Sequence, residues 1–123
     1  MDIEFQEPAT GIMRYCQVKA GPYTVNKDTS EKIVDKFDKA LNLAKTNGVR
    51  ITNDQLIVGV LYGTQDQLST FYKEIEKRYS VFAGKNFWQR LTGHEAFYEE
   101  LVTSFRTVGC SHRLLMTGSW GRA

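Results

Sequence analysis

"QLIVGVLYG", residues 55–63, is the stretch on which the fold turns. A strand with one wet face alternates apolar and polar side chains. Here Leu56, Ile57, Val58, Val60 and Leu61 follow one another with only Gly59 between them. A short run of this kind, rich in β-branched residues, reads as a strand covered on both faces. A chain of 123 residues has room for one such core, so this strand is expected at the centre of a sheet with helices on either side.

Upstream, Ile33, Phe37, Ala40, Leu41 and Ala44 recur at helical spacing. Asp28 with Glu31 three residues on predicts a capping pair at the start of that helix, and Gly48 after Asn47 a stop. Further upstream, Ile3 and Phe5 alternate with Asp2, Glu4 and Gln6. "EPATG" (7–11) is a turn by its Pro and Gly, residues 12–19 form a return strand, and Gly21-Pro22 ends it. Downstream, Thr64 and Gln67 form a capping box. Leu68, Phe71, Tyr72, Ile75 and Tyr79 then make an apolar stripe, which predicts a helix over 65–78. "SVFAG" (80–84) is a short strand. Asn86 is expected to cap a short helix through Leu91 that Gly93 breaks. Residues 95–108 read as a last amphipathic helix with Phe97, Leu101, Phe105 and Val108 inward. The order is β-β-α-β-α-β-α-α, an α/β fold with a mixed sheet sandwiched by helices. Residues 1–108 are expected to be a single domain, and 109–123 an unpatterned C-terminal tail.

Composition narrows the class without naming it. Hydrophobic residues make up 41% of the chain and charged residues 24%, as in ordinary globular proteins. A net charge of +2 is too weak to announce a nucleic-acid binder, although a basic patch can be local. Cys16 and Cys110 have neither metal nor redox spacing. No signal sequence and no apolar run of ~18 residues is present, so a cytoplasmic protein with no membrane partner is expected.

The chemistry is expected in the hairpin. Side chains alternate along strands, so Asp2 and Glu4 share one face, as do Tyr15, Gln17 and Lys19. Pairing Asp2 opposite Gln17 leaves a four-residue loop, Pro8–Gly11, and brings Asp2, Glu4, Gln17 and Lys19 to the same side of the ribbon. A carboxylate pair, an amide and an ammonium suit phosphodiester hydrolysis. Asp2 would supply an anionic metal ligand, and the Gln17 side-chain oxygen or the Val18 carbonyl would complete an oxygen shell for a hard divalent cation. Lys19 would orient a water or offset charge developing on phosphate.

An acidic residue at the start of one strand followed by Gln17-x-Lys19 on the next resembles the PD-(D/E)xK nuclease superfamily, and the Gln variant is similar to that of Mrr-like enzymes. "QVKAGPYTVN" (17–26) before a helix, "LIVGVLYGT" (56–64) and "VFAGKNFWQRLTG" (81–93) resemble, in that order, segments of type II restriction endonucleases of the PmeII and TdeIII kind. The resemblance implies a restriction-endonuclease-like core and Mg2+-dependent cleavage of duplex DNA. It also implies a homodimer, since a short subunit reaches both strands most easily as a symmetric pair. Carried over, Asp2 matches the metal-binding acid, Gln17 the second ligand and Lys19 the catalytic lysine. Glu4 joins the metal set by strand parity alone. Such enzymes usually carry a helix and a further strand ahead of the catalytic strand, and here the chain opens on that strand.

Plain readings stand beside these. Asp2 can be a frayed terminal acid, Glu4 a solvated strand residue, and Gln17 and Lys19 ordinary polar residues of an exposed ribbon. Tyr23, Thr24 and Asn26 could contact phosphate or merely serve the turn into the helix. Lys85 and Arg90, around Phe87 and Trp88, could touch DNA. The run Lys27, Lys32, Lys36, Lys39, Lys45 reads as the solvated face of a helix. His94 and His112 have no partner at ligand spacing. The rival to an enzyme is a catalytically incomplete remnant of the fold acting as a DNA-binding or dimeric protein. A third reading is an unrelated α/β protein that binds a small ligand or a protein partner.

Overall fold

The computed structural model describes residues 1–104. Four strands form one sheet in the order β1-β2-β3-β4: β1 (Ile3–Gln6), β2 (Met13–Lys19), β3 (Leu56–Val60) and β4 (Ser80–Ala83). β1 runs antiparallel to β2, while β2, β3 and β4 are parallel, so the sheet is mixed as expected. The parallel pairs are joined through helices α1 (Lys27–Thr46) and α2 (Thr70–Glu76). The strand order advances in one direction, so crossovers of the same hand lay both helices on one face. The core agrees. Val58 and Val60 of β3 and Val81 of β4 pack with Ile33 and Phe37 of α1 and Tyr72 and Ile75 of α2. On the other face Ile57, Cys16 and Phe82 meet Phe87, Trp88 and Leu91 of α3 (Lys85–Thr92). Residues 97–104 form a fourth helix, α4, as far as the chain is described. Phe97 at its start packs on Trp88 with ring centroids 5.4 Å apart.

All five residues of β3 are buried, as its unbroken apolar run requires. Gly59 is glycine for a reason of space: a Cβ there would lie 2.2 Å from the Phe87 ring, so the bare backbone lets α3 sit down on the sheet. The outer edge of β4 is covered by a side chain. Gln65 Nε2 donates to the Val81 carbonyl at 2.9 Å, and its Oε1 accepts from the Ala83 N–H at 2.5 Å. That amide copies the pairing of a further strand and closes an edge that could otherwise recruit another chain.

Three helix starts differ from expectation. Asn26, not Asp28, caps α1: its Oδ1 accepts from the Thr29 N–H at 2.8 Å, and Asp28 falls in the first turn. The Thr64–Gln67 capping box exists but closes a single 3-10 turn, Gln65–Gln67, so the helix expected from 65 starts at Thr70. Gly84 rather than Asn86 precedes α3, with φ +53. A Cβ at Gly84 would stand 2.0 Å from the Gly63 carbonyl oxygen, so the turn into α3 needs a residue without one. The stops are as read: Asn47 is the C-cap of α1, Gly48 follows with φ +72, and Gly93 ends α3 in the left-handed conformation. The part of the last helix beyond 104, with Phe105 and Val108, and the tail 109–123 with Cys110 and His112 lie outside the described residues.

The hairpin is pinned at its turn by a buried ionic cluster. Glu7, 2% exposed, takes Arg14 Nε at 2.9 Å, Arg14 Nη2 at 2.5 Å and the Thr10 hydroxyl at 3.1 Å on one oxygen. Its other oxygen takes Arg90 Nη1 from α3 at 3.0 Å. Arg14 also donates to the Asp54 carbonyl just before β3. Burial raises the Glu7 pKa, but the hydrogen bonds of Arg14 and Thr10 and the charges of Arg14 and Arg90 outweigh it, and the net shift is downward. A carboxyl with a depressed folded pKa lends stability above its unfolded pKa and loses it as pH falls through the folded one. We therefore expect the urea midpoint to drop as pH falls below about 4.5, the ordinary value for this group. Glu7→Gln, which strands Arg14 in the interior, should cost about 3–5 kcal/mol near neutral pH and flatten that acid limb.

Candidate active site

The register of β1 on β2 decides what meets at the open end of the hairpin. Ile3 stands opposite Cys16 and Glu4 opposite Tyr15. The Asp2 N–H donates to the Cys16 carbonyl at 3.0 Å, which carries the same pairing one step further and puts Asp2 opposite Gln17. At the turn, the Glu7 N–H reaches the Ile12 carbonyl at 2.8 Å, enclosing the four residues Pro8–Gly11. Ile3, Phe5, Cys16 and Val18 all belong to the core under α3, while Tyr15 packs into the core under α1. Alternation therefore turns Asp2, Glu4, Gln17 and Lys19 to the α1 face.

Asp2 is held rather than frayed. Its Oδ2 accepts from the Val18 N–H of β2 at 2.7 Å. Asp2 and Glu4 are exposed, and Gln17 and Lys19 are half-buried. The Gln17 side-chain oxygen accepts from Lys36 Nζ of α1 at 3.4 Å. In sequence Lys36 reads as one of the solvated helix lysines. Its signal was one residue's offset from Phe37, which points into the core, and that offset had no meaning until the rotation of α1 over β2 was known. Among the described residues no cluster of three or more His, Cys, Asp and Glu side chains exists. The oxygen donors of this corner are two carboxylates, one amide and backbone carbonyls. Hard oxygen donors of this kind are the type that a divalent cation keeping several waters takes.

The chain leaves Lys19 through a tightly held corner. The Leu61 N–H donates to the Lys19 carbonyl at 2.9 Å and the Tyr62 N–H to that of Ala20 at 3.3 Å. The buried Tyr72 hydroxyl donates to the Gly21 carbonyl at 2.8 Å, and the Ser69 N–H to that of Pro22 at 3.1 Å. A Cβ on Gly21 would come within 2.4 Å of the Tyr62 ring, so the glycine lets that ring close over the backbone. Burial pushes the Tyr72 hydroxyl up to about 12, so it stays a donor at any working pH. Burial likewise pushes the Cys16 thiol, on the opposite face of β2, up to about 12, with the charge of Asp2 adding to it. Cys16 is a packing residue and no nucleophile.

The further DNA-contact candidates scatter. Tyr23 is 73% exposed beside the corner. Asn26 spends its side-chain oxygen as a helix cap. Lys85, at the same end of the sheet but two strands away, pairs with Glu99 at 3.0 Å. Arg90 lies at the far end of the hairpin, bound to Glu7 and stacked 3.9 Å over the Phe82 ring. Phe87 is core, and Trp88 Nε1 donates to the Leu61 carbonyl at 2.8 Å.

The family model of type II restriction endonuclease EcoO109I matches residues 1–109. The chain belongs to that family. No curated protein matches the sequence significantly. The mixed sheet with its helices is thus a restriction-endonuclease-like core, and the superfamily expected from the Asp2, Gln17-x-Lys19 pattern is the one found. The match says nothing of the PmeII and TdeIII kind. DNA is the substrate class that a restriction endonuclease family implies. No helix of the described residues is long and apolar enough to cross a membrane.

The Tyr72–Gly21 bond holds the EcoO109I-family corner to α2. We expect Tyr72→Phe to cost about 1 kcal/mol, read as a lower urea midpoint at unchanged slope.

Proposed function

We propose that this chain hydrolyses phosphodiester bonds of duplex DNA in a Mg2+-dependent reaction, with Asp2, Gln17 and Lys19 as its working residues. One observation supports the reading above the rest. In a chain of the EcoO109I family, the Asp2 carboxylate is bonded at 2.7 Å to the Val18 N–H, on the strand that carries Gln17 and Lys19. The oxygen atoms of Asp2, Glu4 and Gln17 would hold the cation. When bound, Mg2+ supplies Lewis acidity and a more acidic water.

The protein's own residues carry the remaining work. The Val18 N–H orients the Asp2 carboxylate. Gln17 contributes a neutral oxygen, which asks less of the cation's charge than a carboxylate would and leaves the corner less repulsive to DNA. Lys19, half-buried on the α1 face, keeps an ammonium where negative charge grows on the phosphate and stabilises it there. A homodimer would bring one such corner to each strand.

The test is nicking of supercoiled plasmid by the full chain in Mg2+. Lys19→Ala should slow it at least ~100-fold while leaving thermal unfolding unchanged. Cleavage that persists in Lys19→Ala at the wild-type rate defeats this assignment. DNA binding by the wild-type chain with no Mg2+-dependent cleavage would mean an incomplete site on a DNA-binding fold. Gln17→Glu adds a charged ligand, so it should tighten Mn2+ or Mg2+ binding about tenfold by calorimetry.

A further inference from the structure

We propose that Lys36 of α1 is a phosphate-binding residue of the same corner, a second cation set beside Lys19; the inference rests on the nuclease reading of that corner. Of the five lysines of α1, Lys32, Lys36 and Lys39 lie within two turns of one another, and they do not behave alike. Lys32 is tied to Asp28 at 3.1 Å and Lys39 to Asp35 at 2.9 Å, each one turn back on the same helix. These are exposed i,i+4 pairs of the kind any solvated helix carries. Lys36 takes neither route. It crosses from the helix to the sheet and gives one hydrogen to the Gln17 amide at 3.4 Å.

Among the described residues no carboxylate lies within ion-pair distance of Lys36. An ammonium has three donors and the amide accepts one, so two remain directed at solvent. Gln17 sits between the two ammoniums on one face: Lys19 is two residues along the same strand, and Lys36 stands over it from the helix. Among the described residues neither is in an ion pair. Asp2, which stands opposite Gln17, keeps its Oδ2 on the Val18 N–H. What answers a pair of unneutralised ammoniums at a DNA-cutting corner is a backbone phosphate, and the Gln17 amide serves to aim the second of them.

The measurement is binding of a short fluorescent duplex by the full chain in EDTA, where nothing is cut, across 50–200 mM salt. Lys36→Ala should weaken binding about fivefold and make the plot of log affinity against log salt shallower by about one. Lys36→Arg should keep both near wild type. Lys32→Ala, which removes a lysine held by Asp28, should leave both unchanged. The inference fails if wild type binds and Lys36→Ala keeps its affinity and slope. It fails equally if Lys32→Ala loses as much as Lys36→Ala, since the effect would then be bulk surface charge. Wild-type chain that binds no duplex overturns this inference together with the reading beneath it. Binding that depends on Lys36 in a chain that never cuts overturns only the catalytic reading.

Discussion

The register of the opening hairpin is the constraint from which the rest of the molecule follows. A strand paired one residue out of step exchanges its two faces. Here such a slip would pull Ile3 and Phe5 out of the core under α3 and drive Asp2 and Glu4 into it. The slip is opposed at both ends. Apolar packing of Cys16 and Val18 fixes which face of β2 is covered by α3. At the turn, Glu7 must find Arg14, and Arg14 must find the Asp54 carbonyl just before β3. The ionic cluster sits at the opposite end of the ribbon from Asp2 and Lys19. It takes no part in chemistry, yet it holds the register that lets those two side chains share a face.

That division of labour explains what could be read from the sequence and what could not. The face shared by Asp2, Glu4, Gln17 and Lys19 follows from strand parity and loop length, both local, and the structure has the same pairing. The central place of Leu56–Val60 follows from composition over five residues. Helix starts were harder, because more than one polar residue near each could cap it. Asn26 and Asp28 both offer a side-chain oxygen before the first apolar residue of α1. The choice falls to Asn26, whose Oδ1 accepts from the Thr29 N–H, so that Asp28 lies within the first turn.

Arg90 and Lys36 mark the limit of such reading. In sequence, Arg90 lies in a basic, aromatic segment that looks ready for DNA, and Lys36 lies in a helix face that looks merely wet. Their contacts invert those impressions. Arg90 turns inward to Glu7, a residue 83 positions earlier, and Lys36 turns across to Gln17, 19 positions earlier. Neither partner can be inferred from spacing, because each depends on how a helix is rotated over the sheet. That rotation is set by bulky contacts elsewhere, such as Phe37 against Tyr79 on one face and Phe87 over Gly59 on the other.

The charge balance of the corner ties these points together. Asp2 and Glu4 bring two negative charges, and Lys19 and Lys36 bring two positive ones. A glutamate at position 17 would tip the balance toward holding a cation and against a DNA backbone. The amide keeps it level, and it does so while accepting a hydrogen bond from Lys36, a geometry that a neutral oxygen permits without neutralising the lysine. On the proposed reading, a divalent cation held by the carboxylates would leave the two ammoniums in excess. The corner's attraction for a phosphodiester would then rise with the same event that readies it for hydrolysis. Electrostatics of that kind would couple cation binding to substrate binding through named side chains, with no movement of the sheet required.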